Sequence, residues 1–491
     1  MTFVLIRQRF IPLLLCCAWA APLHAAPDPF GVETGVAAPC PQPGAPVILG
    51  DAPLELADVI DLALCHNPQT RAAWASAKVE ANLVGVAEAA YLPNIDASLG
   101  VSRRYNRSDD GREWSRQRTG NLSLSYLLFD FGGRAARLEN SRQLLNAAIS
   151  NQDVTRQTVF LEALQAFYQV HATAAATEAA QAAETAAQQS FKAAEARHQA
   201  GVATPADRLQ AQTAYSQSTL NRIRIQGSFK NAQGTLANVI GLDAQRPVTL
   251  APLASPLVSS GSGVPPQFEA NLEQAIAAAR LRRPDLAAAL ARYKAAEAAI
   301  DSARSDGLPR LNLSAGPSYT ATHLGDERSS NRSGSLNLTL SIPLFSGFAN
   351  SYQIRAAQAR LEESDAAREK LALQVSLEVW RTWQDLRTAS QSLSSAADLL
   401  ASAEASARVT LGRYQAGVGN ILDVLNAQSA LADARMQQIQ AAYDWHIARA
   451  ALARALGVLD KNLLDEDFAF TALPNPLTPA NTATPPSRNA P

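Results

Sequence analysis

The chain has 491 residues, of which 47% are hydrophobic, 18% are charged and 6% are aromatic. This length allows two or three ordinary domains, and the composition is that of a folded protein. The formal net charge is −1. Because the lysines and arginines are scattered rather than gathered into a basic stripe, the sequence gives no support for nucleic-acid binding.

The N-terminus has the pattern of an export signal. Arg7 and Arg9 precede an apolar run over residues 10–21, and a small-residue cleavage site follows. This pattern predicts a secretory signal peptide over residues 1–25 and an N-terminal extension over residues 26–53. No later stretch contains 18 consecutive apolar residues, so no transmembrane helix is predicted and any membrane span must be built of strands.

The chain has four cysteines. Cys16 and Cys17 lie inside the predicted signal and lack the small residues that precede a lipidated cysteine, so lipidation is the less favoured interpretation. Cys40 and Cys65 are the cysteines that remain after processing. In an exported protein such a pair either forms a disulfide, which the oxidising compartment favours, or stays as two buried thiols.

The strongest feature of the sequence is an internal duplication with one constant offset, the spacing that carries Pro68 onto Pro284. The recurring motifs are Asn67-Pro68 with Arg283-Pro284, Leu92-Pro93 with Leu308-Pro309, Leu128-Phe129 with Leu344-Phe345, Ala200-Gly201-Val202 with Ala416-Gly417-Val418, and Gly241 with Gly457. The duplication predicts an internal two-fold repeat. The predicted segments are a first repeat over residues 54–245, a linker over 246–267, a second repeat over 268–460 and a partly disordered, proline-rich tail over 461–491.

Each repeat contains a predicted β-hairpin inside a mostly helical sequence. Apolar and polar residues alternate along two stretches within about residues 95–129 and again within about 311–344. The polar segments 106–118 and 322–333 are predicted to be loops at the hairpin tips. Such two-faced strands are typical of outer-membrane barrels, although a soluble sandwich alternates in the same way. Aromatic side chains at the strand ends favour the membrane, and Pro317 must sit at a bulge or a non-bonding position.

Four strands are too few to close a barrel, which needs at least about eight. Several copies of the chain must therefore share one wall. A dimer would supply eight strands and a trimer twelve, and only the wider barrel leaves an open lumen. The sequence thus predicts an oligomer whose subunits together enclose a pore.

A long helix is predicted after each hairpin. Residues 133–199 and 350–415 contain no proline and predict helices of about 65 residues, or about 100 Å at 1.5 Å per residue. The segments 56–90 and 205–240, like their copies in the second repeat, predict partner helices about half as long. Their alanine-rich sequences suit a close-packed, coiled-coil-like wall. A tube of such helices would continue a lumen, whereas the alternative of a solid stalk would not need polar-lined strands.

These features resemble the TolC-like outer-membrane efflux and type I secretion channels over nearly the whole mature chain, about residues 54–459. The motifs that carry the resemblance are the duplicated Leu-Pro before a strand, Leu-Phe-Asp-Phe-Gly-Gly at 128–133, Leu-Phe-Ser-Gly-Phe at 344–348, Arg-His-Gln-Ala-Gly-Val at 197–202 and Arg-Tyr-Gln-Ala-Gly-Val at 413–418. The resemblance implies an α+β membrane protein with the fold of a trimeric channel-tunnel. Each protomer would give four β-strands to a shared twelve-stranded transmembrane β-barrel, in contact with outer-membrane lipid, and would add to a long periplasmic α-helical barrel. The resemblance also implies docking to a periplasmic membrane-fusion adaptor and an inner-membrane pump.

Two glycines mark the predicted turns between the long helices and their partners, because glycine readily supplies a left-handed turn at a helix end. The resemblance places these turns at the periplasmic tip, which meets the adaptor in the family. Gly201, Val202, Ala203, Gly417 and Val418 are therefore the predicted adaptor contacts. The alternative is that these residues are merely turns.

Just beyond the turns, Asp207 and Asp423 occupy equivalent places, and Asn426 lies on the same helical face as Asp423. In a trimer an inward carboxylate becomes a ring that attracts cations and repels anions. The resemblance places such a constriction ring at Asp423 and Asn426, and a periplasmic gate network at Asp207 and Tyr414. This sequence departs from the family at Asn426, where the family has a second aspartate, and at Gly419, where it has an arginine. We therefore predict a weaker or differently built lock, and a solvated carboxylate is the alternative for Asp423.

The sequence shows no catalytic, cofactor-binding or metal-binding constellation. The six histidines lie far apart and have no metal-ligand spacing. Asp130-Phe131-Gly132 imitates a kinase tripeptide but stands at a predicted strand end without a catalytic loop, so it is predicted to be a turn. We predict no enzyme activity and no cofactor, so the energy for transport must come from partners.

Three functions remain open: an exit duct for type I secretion of a protein such as a toxin, a duct for small-molecule or drug efflux, and a structural envelope or adhesin stalk. An adhesin would carry a long exposed passenger, and the predicted outer loops have only about a dozen residues. The missing lipidation motif and the resemblance to TolC rather than to lipidated ducts favour protein secretion, with an inner-membrane ABC transporter as the pump. The efflux alternative would use a proton-driven pump.

Overall fold

The structure, a computed structural model, describes residues 28–41, 52–108, 111–246, 248–253, 272–324 and 327–459. The predicted signal peptide, most of the predicted linker and the predicted C-terminal tail lie outside these ranges. The chain divides into two compact units. Among the described residues, the strand unit comprises residues 28–37, 78–145 and 298–354, and the helix unit comprises residues 38–77, 146–297 and 355–459.

The strand unit contains one antiparallel sheet with the strand order β1-β2-β3-β4. The strands are β1 Asn94–Ser108, β2 Gly111–Phe129, β3 Arg310–Leu324 and β4 Glu327–Ser341. Within the described residues, β1 and β4 each pair along one side only. The protomer therefore presents two open sheet edges, whose unpaired backbone groups can pair with another chain.

The strands are longer than predicted, and the described residues of the polar segments 106–118 and 322–333 belong to paired strands rather than to loops. Pairing continues to the outer ends of β1 and β2 and, in the second hairpin, of β3 and β4. The alternation of apolar residues fades in these segments, but the ladder hydrogen bonds come from the backbone and do not require an apolar face. Tyr105 and Trp114 are directly opposed there, with ring centroids 4.9 Å apart, and stabilise this end of the hairpin.

Pro317 lies where the pairing between β2 and β3 is interrupted. The register between these strands skips Gly316 and Pro317. A proline has no N–H to donate, so the gap falls where a ladder bond would be missing, as predicted. A Cβ atom at Gly316 would collide with the Leu122 backbone, so the glycine allows the two strands to lie close across the gap.

A tight turn joins each β-hairpin to the following long helix. After β2, Phe131 and Gly132 have φ values of +52° and +90°. Asp130 closes this turn, because its Oδ2 accepts the backbone N–H of Arg134 at 2.7 Å. The tripeptide that imitates a kinase motif is therefore a turn that caps a helix.

The described residues form eight α-helices. They are α1 Leu56–His66, α2 Pro68–Ala89, α3 Gly133–Gln199, α4 Pro205–Val239, α5 Leu272–Arg282, α6 Pro284–Ser305, α7 Ala349–Gln415 and α8 Ile421–Ala455. Both α3 and α7 have 67 residues, and both α4 and α8 have 35. Each helix of the first set begins and ends at the repeat offset from its counterpart, as Gly133 does from Ala349. Within the described ranges, no helix combines the length and the apolar character needed to cross a bilayer.

The predicted partner segment 56–90 is two helices rather than one. Asn67, between α1 and α2, has extended backbone angles, which the following Pro68 imposes on it. Its side-chain oxygen accepts the backbone N–H of Gln69 at 2.8 Å and so caps α2. The second repeat breaks in the same way before Pro284.

Large apolar side chains of the helix unit are concentrated in two clusters. The first contains the fully buried Val59, Ile60, Val159, Leu236 and Ile240, and the second contains Val375, Val379, Leu452 and Leu456. Burial of each such side chain contributes roughly 1.5–3 kcal/mol. Towards the ends of the long helices the buried positions are mostly alanine, such as Ala187, Ala194 and Ala403, which allows close helix packing.

Two links tie the segment before α1 into the helix unit. Cys40 and Cys65 form a disulfide, with Cα atoms 5.3 Å apart. The Leu54 N–H donates to the Thr249 carbonyl at 2.9 Å, and the Ala251 N–H donates to the Leu54 carbonyl at 2.9 Å. The chain before the first repeat and the described start of the predicted linker are thereby held to the same part of the fold.

Candidate functional site

The sequence places its candidate site at the turns that join the long helices to their partners. We call residues 200–204, between α3 and α4, the first tip, and residues 416–420, between α7 and α8, the second tip. Both tips belong to the helix unit, so the contacts between them lie within one compact body.

The two tips have the same backbone geometry. The Val202 N–H donates to the Arg197 carbonyl at 3.0 Å and the Gly201 N–H donates to the His198 carbonyl at 3.0 Å. This pair of bonds is a Schellman motif, which satisfies the last carbonyls of a helix. Gly201 and Gly417 have φ values of +72° and +79°, a region that costs a side-chain-bearing residue roughly 1–2 kcal/mol. The glycines that the sequence singles out are therefore required by the turn itself.

Each tip exposes one large apolar side chain. Val202 is 75% exposed and Val418 is 69% exposed. Ala203 is half-buried, and its carbonyl lies 3.2 Å from His198 Nδ1. The adaptor-contact candidates thus divide into two turn glycines, two exposed valines and one residue that packs against its own tip.

Asp207 caps its own helix. Thr204 Oγ1 accepts the Asp207 N–H at 3.2 Å, and Asp207 Oδ2 accepts the Thr204 N–H at 3.0 Å. This reciprocal pair is a capping box, which satisfies two free N–H groups at the start of α4. The sequence signal was Thr-Pro-Ala-Asp at 204–207, because a hydroxyl residue three positions before an acid is typical of such a box. Our sequence analysis overlooked Thr204.

Asp423 and Asn426 lie on the exposed side of the first turns of α8. Both side chains are exposed, whereas Ile421, Val424 and Ala427 on the other side of the helix are buried. Within the described residues the Asp423 carboxylate has no hydrogen bond or ion pair. The two candidates therefore share one free face, as their spacing predicts.

Tyr414 contacts Arg197 rather than Asp207. The ring of Tyr414 is 8% exposed and packs with Ile421 and Val424. The Arg197 guanidinium carbon lies 4.3 Å from the centre of that ring, and Arg197 Nη2 donates to the Tyr414 carbonyl at 3.1 Å. The positive charge thus lies at the C-terminal end of α7, where the helix dipole is negative.

Sequence reasoning missed Arg197 as a candidate, although it begins one of the duplicated motifs. Within one protomer the structure joins Tyr414 to this arginine and leaves Asp207 in its own cap. A hydrogen bond between Tyr414 and Asp207 does not occur among the described residues of the chain.

Gly419 has no room for a side chain. A Cβ atom at this position would lie 2.9 Å from the Tyr414 backbone nitrogen and 3.2 Å from the Arg413 Cβ. Such contacts would force the turn to shift. The arginine that the resemblance implies at this position therefore cannot be accommodated without rebuilding the second tip, and Arg197 is the guanidinium that reaches Tyr414.

Two histidines away from the tips, His171 in α3 and His446 in α8, are half-buried. His446 stacks on Tyr168, with ring centroids 4.5 Å apart and planes inclined by 14°. Burial, and secondly the charge of Arg449, lowers the pKa of His446 to about 4. Burial also lowers the pKa of His171. Both side chains are therefore neutral and act in packing at physiological pH.

Among the described residues no group of three or more His, Cys, Asp or Glu side chains could hold a metal ion. The chemistry of the tips is instead that of helix caps, exposed valines and one guanidinium on a tyrosine ring. Such groups can bind a partner protein.

The protomer has one four-stranded sheet with two open edges, and in each repeat a 67-residue helix and its return helix follow the hairpin. This arrangement is the protomer fold of a trimeric channel-tunnel. The chain belongs to the outer membrane efflux protein family. The family's sequence pattern matches it twice, over residues 59–242 and 275–458. The second match begins and ends at the offset that carries Pro68 onto Pro284, so each repeat corresponds to one copy of the family unit.

Known relatives cover most of the chain. Protein CyaE of Bordetella pertussis is 33% identical over 431 residues, which are 87% of this chain and 88% of that protein. The alkaline protease secretion protein AprF of Pseudomonas aeruginosa is 28% identical over 441 residues, or 83% of this chain and 85% of that protein. Among solved structures, the outer-membrane channel OprN has a TM-score of 0.71 at 22% identity and covers 82% of this chain and 89% of that one.

These comparisons confirm the predicted family, the fold class and the outer-membrane location with an extension into the periplasm. They also confirm the class of function, because the family consists of transport ducts. The roles of single residues at the tips stay predictions.

Proposed function

We propose that the chain is one protomer of a homotrimeric exit duct in a tripartite export machine. The duct would receive its substrate from an inner-membrane pump and a periplasmic adaptor and conduct it across the periplasm and the outer membrane. The observation that carries this proposal is the sheet with two open edges, β1 and β4, in a protomer built from two equal repeats. Neighbouring copies can pair along these edges, and three copies supply twelve strands.

For the cargo, we propose a protein that is secreted by a type I system. One observation supports this choice: the similar protein AprF is named for the secretion of an alkaline protease. The pump would then be an ABC transporter. Small-molecule efflux through a proton-driven pump is the second candidate, because the pyoverdine export protein OpmQ of Pseudomonas aeruginosa is also similar, with 27% identity.

The tips would be the adaptor-binding end of the duct. Val202 and Val418 are exposed apolar side chains on rigid turns, which suits docking of an apolar partner surface. Gly201 and Gly417 would shape these turns, and Ala203 would support the first tip. In this proposal the adaptor contacts the same kind of turn six times around the trimer, because each of the three protomers has two tips.

The passage would narrow near Asp423 and Asn426, whose shared face is free in the protomer. If Asp423 faces the lumen, its three copies in the trimer would form a ring of carboxylates that attracts cations. Tyr414 would belong to the gate through its contact with Arg197, which holds the second tip against α3 of the first repeat. Asp207 would contribute indirectly, by fixing the start of α4.

The test compares the proteins that the native bacterium secretes with and without this gene. Deletion of the gene should remove at least one protein from the culture medium, and the wild-type gene should restore it. A double Val202→Glu, Val418→Glu variant should fail to restore it while remaining trimeric in detergent, because charge at the tips prevents adaptor docking. The matched Val202→Ala, Val418→Ala variant should retain most secretion. An unchanged secreted proteome combined with new sensitivity to small toxic compounds would instead establish the efflux function.

A further inference from the structure

Near the tips, two polar contacts between described residues join the first repeat to the second within one protomer. One is the Arg197–Tyr414 contact described above. The other lies about two helical turns away, where Ser190 Oγ lies 3.1 Å from Gln428 Oε1 and 3.0 Å from Gln428 Nε2. Tyr414 and Ser190 are buried by these contacts, with 8% and 7% of their surfaces exposed. The first repeat therefore docks on the second through a defined surface.

The repeat offset places a second set of the same groups elsewhere on the protomer. Arg413 is the counterpart of Arg197, and Ser406 is the counterpart of Ser190. Gln212 is the counterpart of Gln428, and His198 is the counterpart of Tyr414. Three of these four positions carry the same residue type in both repeats, and the fourth carries an aromatic ring in both.

This second set has no such contacts within the protomer. Arg413, Ser406 and Gln212 are exposed, and in the described part of the chain their side chains make no hydrogen bond or ion pair. His198 is half-buried and contacts only the Ala203 carbonyl of its own tip through a hydrogen bond. The protomer thus carries one used and one unused copy of the same docking surface.

We propose that the unused copy forms the contact between neighbouring protomers at the tip end of the duct. Arg413 would lie against His198 of the partner subunit, and Ser406 would hydrogen-bond to Gln212 of the partner subunit. This inference rests on the proposed trimer. In a closed ring in which first and second repeats alternate, we expect the surface that joins repeat one to repeat two to recur where repeat two meets the next repeat one, because the two repeats have the same elements.

The proposal makes the two kinds of contact unequal in strength. Within protomers the guanidinium lies on a tyrosine ring, one of the aromatic faces that attract cations. Between protomers it would meet the smaller ring of the partner's His198. The contacts between subunits are then the weaker ones.

Cysteine cross-linking in the assembled protein tests this inference. The Ser406→Cys, Gln212→Cys variant is treated in detergent with a short thiol-specific cross-linker and separated on a denaturing gel. Cys40 and Cys65 are bonded to each other and do not react. We expect at least tenfold more covalent trimer than with the mispaired Ser406→Cys, Thr213→Cys control, in which the second cysteine is rotated to another helical face.

The intraprotomer pair provides the matched positive control. The Ser190→Cys, Gln428→Cys variant should be cross-linked within one chain and should stay at the mass of a protomer. If the Ser406→Cys, Gln212→Cys variant yields only protomer-mass species while light scattering still finds a trimer, the subunit contact is wrong and the proposed duct stands. If light scattering finds a monomer for the wild-type protein, the proposed trimer fails as well.

Discussion

Replacement of Arg197 by methionine tests whether the contact with Tyr414 keeps the tips closed. Methionine retains the length and much of the apolar surface of arginine but removes the guanidinium. The variant therefore loses the hydrogen bond of 3.1 Å to the Tyr414 carbonyl and the charge 4.3 Å from the ring centre. We expect the closed state of the tips to be destabilised and the fold to be retained.

The size of the expected destabilisation of the closed state follows from these two lost interactions. A hydrogen bond from a charged donor contributes roughly 1.5 kcal/mol at its lower limit, which suits the half-buried Arg197. A cation over a partly exposed aromatic ring adds about 0.5–1 kcal/mol. The loss is therefore about 2 kcal/mol per protomer, which raises the ratio of open to closed tips about thirtyfold.

The assay is the open probability of single channels in planar lipid bilayers at fixed voltage. The Arg208→Met variant is the control, because among the described residues the Arg208 side chain makes a 4.0 Å ion pair with the partly exposed Glu195, and such surface pairs contribute little. Tyr414→Phe retains the ring and the backbone carbonyl, so it should behave like the wild type. Tyr414→Leu should open the channel as Arg197→Met does.

The opposite pattern would refute this reasoning. If Tyr414→Phe opened the channel and Arg197→Met did not, the tyrosine hydroxyl would be the working group of the gate. That result would restore the predicted network of Tyr414 with Asp207 and would place it between subunits, because the two side chains do not bond within one described protomer.

Three further predictions concern other parts of the chain. Asp423→Ala should reduce the preference for cations over anions in reversal-potential measurements. The control is Asp433→Ala, which removes an exposed carboxylate further along α8 and should leave the preference unchanged. Equal ion preferences in the two variants would argue against a carboxylate ring. The pKa of His446 is lowered from 6.5 to about 4, so as the pH falls through this window the unfolded chain binds a proton that the folded chain does not, and stability should fall by up to about 3 kcal/mol per protomer. His446→Phe should flatten this part of the pH dependence of thermal unfolding, and an unchanged slope would contradict the assignment. The Cys40→Ser, Cys65→Ser variant should lose about 3 kcal/mol of stability, because the disulfide spans 25 residues; a melting temperature that does not respond to reduction of the wild-type protein would count against it.

Local patterns in the sequence are sufficient for much of this fold. Pro68 and Pro284 mark equivalent helix boundaries, because a proline acts on its immediate neighbours. Proline-free, alanine-rich stretches predict the long helices to within one or two residues of Gly133–Gln199 and Ala349–Gln415. The repeat offset then predicts that every element occurs twice.

Local patterns fail where the controlling interaction is not local. The polar outer halves of the strands are held by backbone pairing with a neighbour, which an alternation of side chains cannot reveal. The capping role of Asp207, by contrast, is predictable from the sequence, since Thr204 is only three residues away.

The sequence by itself determined the duplication, the helices, the turns and the family. Only the tertiary structure decided which groups meet at the tips. Arg197 and Tyr414 lie far apart along the chain, in different repeats, and their contact depends on how α3 and α7 are rotated against each other. That rotation is set by the packing of many small side chains at once, so no short motif encodes it.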